Sequence, residues 1–489
     1  MKKNILKTAV FALIFVLLFA GAEKLLRGKW LGKNITGTLE AYAAAAPNSV
    51  DVLFVGSSNA FAAINPLQLW QESGITSFVL ASAWQQVPAS AYLLEEALKT
   101  QTPRLVCFEV RSTAYDSHTD EDKIHQLIDG RPLTPDKWRD AQSMKWDSDS
   151  MLYLMSPLLR FHSRWKTLEK QDFDYFWNRP TGGYNAKGYY AAYHKALGQF
   201  DSYNDPITTK ERSMRAENVA ALDRIVAMCE EKGIDLLFWK TPTEEWRKGY
   251  SDTVQAYADA HDIPFLDTNP LMEEIGLDKS QDFNDASHFN VWGGRKFTDY
   301  MNGYLQQNYS LPDRRQDAAI AAQWNDDADA YVRTTIAECD DMQEYFARLA
   351  DENTVAVIAF TAQGDNVNRR STHKTASAAL AQYGLDSFMD PKITPHGHAC
   401  LAVLEGGTLR FVSNEASAQS ITFTAGGTSI TAHVSADVPD TQVKVDYSLV
   451  FSGNEPGVSV VVYDKQIGAT LDAVTFDVYA ADCAATHVR

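Results

Sequence analysis

The strongest constraint on the fold is a repeating order of apolar segments. The run VDVLFVGSS (50–58) is β-branched and aromatic up to Gly56, then breaks into serines. Such a run, bounded by a small-residue turn, predicts a buried strand. SAYLLEEALKTQTPRLVCFEV (90–110) reads as an amphipathic helix, a Thr-Pro turn and a second buried strand. ENVAALDRIVAMCEEKGIDLLFWKTPT (217–243) repeats helix, Lys-Gly stop and strand, and TVQAYADAHDIPFLDTNPL (253–271) repeats it with a shorter strand. Helices alternating with apolar strands predict a parallel sheet covered on both faces, an α/β fold. Ligands of such sheets sit beyond the carboxyl ends of the strands. Ser57-Ser58, Glu109-Val110-Arg111 and Lys240-Thr241 all occupy strand ends, so one crevice is expected to collect them.

Residues 116–216 interrupt the order and are rich in Trp, Tyr, Asp, Arg and Gly, as in FDYFWNRPTGGYNAKGYYAAYH. They are expected to form an insertion over the crevice. Their aromatics suit either sugar stacking or the core of an irregular segment. At 489 residues the chain is too long for one domain of usual size. A boundary is expected near NYSLPDRRQDAAIAAQ (308–323). Beyond it come the helical DADAYVRTTIAECDDMQEYFARLA, the strand TVAVIAF, the helix KTASAALAQYGL and several strand-like runs. This predicts a second, strand-rich α/β or α+β domain over 320–489.

The N-terminus opens Met1-Lys2-Lys3 and continues into ILKTAVFALIFVLLFAGA, uncharged from Thr8 to Ala22. Lysines before an apolar run place its start in the cytoplasm. The uncharged core is short for a span, and Ala20-Gly21-Ala22 fits a cleavage site, so a removed secretory signal is one reading. A retained anchor over 1–30, with EKLLRGKW continuing the helix out of the bilayer, is the preferred one. In both, the chain after Trp30 lies outside the cytoplasm.

A formal net charge of -18 argues against a nucleic-acid surface, which needs clustered Lys and Arg to displace counterions. Cys107, Cys229, Cys339, Cys400 and Cys483 are widely separated, with no zinc-type spacing. Cys107 and Cys229 fall in apolar segments and are expected to be core residues. His396-Gly397-His398 has chelating spacing but no neighbouring acid or cysteine. No metal and no organic cofactor is expected.

Chemistry is concentrated in two short blocks. QDFNDASHFNVWGGRKFTDYM (281–301) contains Asp285 and His288 at i, i+3, which share a face on a helical turn. A carboxylate beside an imidazole fixes its tautomer, and an imidazole base is what a serine hydroxyl needs to attack at neutral pH. Ser58 at a strand end would complete the set. The competing reading is that Gly-Ser-Ser is only a turn and that Asp285 caps a helix containing His288.

Gly56-Ser57-Ser58 with Asp285-Ala286-Ser287-His288 resembles the two end blocks of the SGNH (GDSL-type) hydrolase superfamily, over about residues 45–310. The resemblance implies Ser58 as nucleophile, His288 as base and Asp285 as its orienting partner. With an N-terminal membrane segment it looks like the DltD-type and alginate-acetylation-type proteins. Those work outside the cell beside a membrane-bound O-acyltransferase partner to esterify surface polymers. The middle blocks depart from the pattern: LASAWQQ (80–86) and FEVRSTAY (108–115) lack the Gly and Asn that serve the oxyanion. Ser82, Gln85 and Arg111 are the substitutes on offer, with the Ser58 backbone N–H, and Lys240 is a further substrate candidate. GVSVVVYDKQIGATLDAVTFDVY (457–479) and TVAVIAF (354–360) resemble the interleukin-like EMT inducer (PANDER-like) domain in permuted order.

These expectations combine into an anchored, extracytoplasmic O-acyltransferase, acetyl being the favoured group, acting on a polysaccharide. A secreted carbohydrate esterase and an inert glycan-binding scaffold remain the alternatives.

Overall fold

A computed structural model of the protein describes residues 2–27, 35–114, 121–129, 131, 133–144, 150–168, 172–173, 176, 186–197, 201–208, 210, 213–362, 373–436, 440–453, 457–480 and 483–488. Much of the aromatic 116–216 segment, together with Trp30 and Tyr115, lies outside the described residues. The chain divides into two units, Met1–Trp324 and Asn325–Arg489. The break falls inside the helix Ala318–Thr334, so residues 318–324 stay with the first unit.

The first unit is built on a parallel sheet of β1 (Val52–Gly56), β2 (Ser77–Ala81), β3 (Leu105–Glu109), β4 (Asp235–Lys240) and β5 (Phe265–Asp267). Their order is β2-β1-β3-β4-β5. Side chains alternate across it, as strand pleating requires. Leu53, Val55, Val106, Phe108 and Phe238 pack under the helices Val87–Ala97, Ala216–Lys232 and Lys248–Ala260. Val52, Phe54, Leu105, Cys107, Leu237 and Trp239 pack under Ser58–Ala63, Pro66–Ser73 and Val291–Asn308. Burial on both faces explains why these strands are continuously apolar. From β1 the chain goes to one side for β2 and to the other for β3, which makes the carboxyl end of β1 the switch point where a crevice opens. The turn Gly56-Ser57-Ser58 stands there.

Ahead of this unit's sheet, the helix Lys2–Leu26 is apolar, and its segment Asn4–Leu26 is long enough to cross a bilayer. The helix runs past the uncharged core through Glu23 and Lys24.

The second unit is antiparallel. One sheet has the order β15-β14-β13-β6-β7-β8: β6 is Thr354–Thr361, β7 Ala399–Glu405, β8 Thr408–Glu415, β13 Val458–Asp464, β14 Ala469–Phe476 and β15 Ala485–His487. The other has the order β12-β11-β10-β9, from β9 (Gln419–Ala425), β10 (Thr428–Ser435), β11 (Asp440–Val445) and β12 (Ser448–Gly453). Val355, Val357, Leu401 and Val403 meet Ile430, Val434 and Phe451 in a core between the sheets. The opposite face of the larger sheet packs on the helices Met342–Arg348 and Lys374–Ala381. TVAVIAF and VSVVVYD, far apart in the chain, are the paired central strands β6 and β13. The single helix expected over 327–350 is instead interrupted by a 3₁₀ turn at Thr335–Glu338 before a second helix begins at Met342.

Candidate active site

The turn after β1 is fixed from below. Gly56 sits so close to β3 that a Cβ there would lie 2.6 Å from the Glu109 Cβ, which only glycine permits. Ser57 is fully buried and is the N-cap of the helix Ser58–Ala63; its hydroxyl accepts from the Asn59 N–H. The same hydroxyl donates to Glu109 Oε2 at 3.0 Å. Glu109 Oε1 accepts from the Arg111 amide at 3.1 Å and faces Lys240 Nζ at 3.3 Å. Glu109 and Lys240 are both wholly buried. Lys240 also donates to the Thr241 carbonyl at 2.8 Å and hydroxyl at 3.1 Å. Burial pushes its ammonium down to about 8, against the pull of Glu109 upward. A buried carboxylate and ammonium on neighbouring strands thus hold the turn, with every partner satisfied.

Ser57 is therefore turned into the protein, and Ser58 out of it. Ser58 Oγ lies 2.7 Å from His288 Nε2, across 230 residues of chain. His288 Nδ1 lies 2.8 Å from Asp285 Oδ1 and 3.0 Å from Oδ2. Burial alone would raise the Asp285 carboxyl; the bond and charge of His288, with the Ser287 amide and Asn284, overcome this and hold it at about 2. It is thus an anion that accepts the imidazole N–H.

The i, i+3 contact does not come from a helix, contrary to the spacing argument. Helix Val291–Asn308 begins only after its cap Asn290. Asp285 instead closes a turn on itself: Oδ1 accepts from the amides of Ser287 at 2.8 Å and His288 at 3.0 Å. The Asn284 amide donates to the His288 carbonyl at 2.9 Å, and Phe283 bridges Phe289. Two neighbours hold this loop in place beside the Ser57-Ser58 turn. Buried Asn59 donates to the Ser287 carbonyl, and the Glu244 amide donates to the Ala286 carbonyl at 3.0 Å. Phe61 stacks on His288 with centroids 6.5 Å apart. The described end of the aromatic segment, residues 186–197, borders the same place. Tyr190 packs edge-on against Phe61, and its amide donates to the Phe61 carbonyl at 2.9 Å.

The remaining candidates are placed differently. Gln85 spends its amide on the Leu80 carbonyl and the Ser90 hydroxyl, and its oxygen accepts from Ser82 Oγ at 3.0 Å. Its side chain therefore holds its own turn and has no donor left for an oxyanion. Arg111 pairs with Glu245. Lys240 is sealed in the core and cannot reach a substrate. Sequence reasoning placed Glu109 at the crevice without giving it a role, and missed Asn59. A carboxylate ending an otherwise apolar strand was the available signal for Glu109, and Asn59 gave none.

His398 bonds Asn414 at 2.7 Å, which accounts for one member of the His-Gly-His pair.

No family model matches the chain, and no curated protein matches it. Among solved structures, a protein of Bacteroides fragilis described as a "putative acylhydrolase" is similar over 61% of this chain and 99% of that one. The identity is 11% and the TM-score 0.28, so this likeness carries no argument about activity or substrate.

Proposed function

We propose that the first unit is a serine acyl-transfer enzyme of the SGNH type, working outside the cytoplasm as an O-acyltransferase on a polysaccharide, with acetyl the favoured group. The observation that carries this reading is the unbroken chain Ser58 Oγ–His288–Asp285 at 2.7 and 2.8 Å. His288 Nε2 takes the Ser58 proton as Oγ attacks the acyl carbonyl carbon. The tetrahedral oxyanion collapses, the donor oxygen leaves with the proton from His288, and Ser58 carries the acyl group. A sugar hydroxyl then gives its proton to His288 and attacks the ester carbon, and as the adduct collapses His288 returns that proton to the departing Ser58 Oγ. Asp285 keeps Nδ1 protonated and stabilises the imidazolium. The Ser58 amide, at a first helical position where an N–H has no intrahelical acceptor, serves the oxyanion. A membrane-bound O-acyltransferase would supply the acyl group, and the second unit would hold glycan.

Hydrolysis is the second reading, favoured by the openness of the site: the side chains of His288 and Asp285 remain 28% and 49% exposed, so water has access. A fluorophosphonate probe is expected to label Ser58, with labelling lost in Ser58→Ala and weakened in His288→Ala; an unlabelled wild type sinks the acyl-enzyme. Incubation with acylated glycan and acceptor separates the two readings, since rapid release of free acid without transfer identifies an esterase.

A further inference from the structure

The stretch MLYLMSPLLRFHSRWK (151–166) carries Arg160, Arg164 and Lys166 and no acidic residue, in a chain of net charge -18. It folds as the short helices Met151–Met155 and Pro157–Phe161 followed by a 3₁₀ turn, His162–Lys166. Leu154 and Pro157 are buried and fasten it to the unit. Met151 and Met155 pack on the same cluster as Leu154, while four apolar side chains point outward: Leu152 is 68% exposed and Trp165 64%, with Tyr153 and Leu159 also exposed. Isolated exposed apolar residues are ordinary, but a cluster of this kind marks an interaction surface.

Its position says what covers it. The last carbonyls of a helix have no N–H donors within the helix. Arg164 Nη1 supplies donors to the Leu26 and Arg27 carbonyls at 3.2 and 2.5 Å, while Nη2 pairs with Asp172 at 2.8 Å. Lys24 Nζ donates to the Phe176 carbonyl at 2.7 Å. The cluster is thereby tied to the end of the one helix, among the described residues, that is long and apolar enough to span a bilayer. Trp and Tyr favour the headgroup layer, and Lys and Arg close to it are drawn to anionic lipid.

We propose that Leu152, Tyr153, Leu159 and Trp165 lie in the headgroup layer of the membrane that the N-terminal helix spans, on the side where Leu26 emerges, with Arg160 and Lys166 on lipid phosphates. The catalytic unit is then held against the bilayer, not swung from a free tether. The inference requires a retained helix and is independent of the chemistry at Ser58.

The test uses the full chain in phosphatidylcholine vesicles with and without phosphatidylglycerol. The five native cysteines are buried, so nitroxide labels go on single introduced cysteines: Leu152→Cys, Leu159→Cys and, as an exposed control, Glu231→Cys. Labels at 152 and 159 are expected to be several-fold more accessible to oxygen, relative to a water-soluble nickel complex, than the label at 231. Equal water accessibility at all three overturns the proposal, as does a mass showing that the leader has been removed. Lys166→Glu is expected to make the 159 label shallower in anionic vesicles and leave it unchanged in neutral ones. No response to charge overturns the lipid-phosphate contact. Probe labelling of Ser58 is expected to be the same in all these variants, which keeps failure here distinct from failure of the catalytic reading.

Discussion

Both units bury polar and charged side chains, yet only the first gathers them. In the parallel sheet Ser57, Glu109, Lys240 and Thr241 stand at the carboxyl ends of adjacent strands and form one connected network. In the antiparallel unit the buried polar groups work in separate pieces. Asp464 pairs with Arg333 at 2.7 Å, Asp472 joins His487 and Tyr345 at 2.8 and 2.9 Å, and Ser459 bonds Thr475 at 2.9 Å. The reason is geometric. Parallel strands all end on one side, so residues at their ends are pooled at one mouth. Antiparallel strands end alternately on both sides. Each buried group therefore ties a strand only to an adjacent strand, as Ser459–Thr475 and Asp472–His487 do, or to a covering helix, as Asp464–Arg333 and Asp472–Tyr345 do. A site assembled from several strand ends is a natural product of the first arrangement.

The largest expected effect lies at the mouth itself. Ser58→Ala or His288→Ala should lower acyl turnover by about 10⁴-fold or more, and Asp285→Asn by about 10⁴-fold through the wrong imidazole tautomer. Thermal unfolding of both units should be unchanged in Ser58→Ala. Activity retained within tenfold in Ser58→Ala would mean the chemistry is elsewhere.

Next is the network below. Glu109→Gln or Lys240→Met leaves one buried charge unpaired and should destabilise the first unit by about 3–5 kcal/mol, read by denaturant unfolding. The double variant should recover most of that loss. Arg333→Met is the matched change in the second unit. It should weaken that unit while leaving probe labelling of Ser58 intact; lost labelling would break the contrast between the units.

Asn59→Ala should leave stability nearly unaltered but let the Asp285–His288 loop drift. A displacement of about 1 Å costs about 10²-fold in rate, so kcat should fall by that order with little change in KM. A purely structural Asn59 would instead move the unfolding midpoint.

The smallest effect is in acid. Asp285 is held at about 2 in the folded chain, below its ordinary 3.8. The folded state therefore binds this proton less readily than the unfolded one. The stabilisation is present above about 3.8 and is lost as pH falls from there toward 2. Asp285→Asn should flatten that part of the acid unfolding curve, because the variant lacks the stabilisation at every pH above about 3.8.

Much of this arrangement is local and was legible in the chain. Apolar runs broken by Gly-Ser, Thr-Pro and Lys-Gly fixed where β1, β3 and β4 stand and that they run parallel, because pleating and helix periodicity are properties of short windows. That placed Ser58, Glu109 and Lys240 at strand ends, and the Asp-x-x-His spacing placed a carboxylate beside an imidazole. The sequence was less informative about how that contact forms. Asp285 reaches His288 by bonding the amides of Ser287 and His288, a choice between turn and helix that spacing alone leaves open.

What only the tertiary structure decided depends on partners far apart in the chain. Sheet order set β3 beside β1, so Glu109 captured the Ser57 hydroxyl and turned Ser58 toward His288. The same order buried Lys240 against Glu109, converting a substrate candidate into a support. Neither outcome has a signature in any short window. Each is fixed by which strands lie next to each other, and by the cost of leaving a buried charge or hydroxyl without a partner.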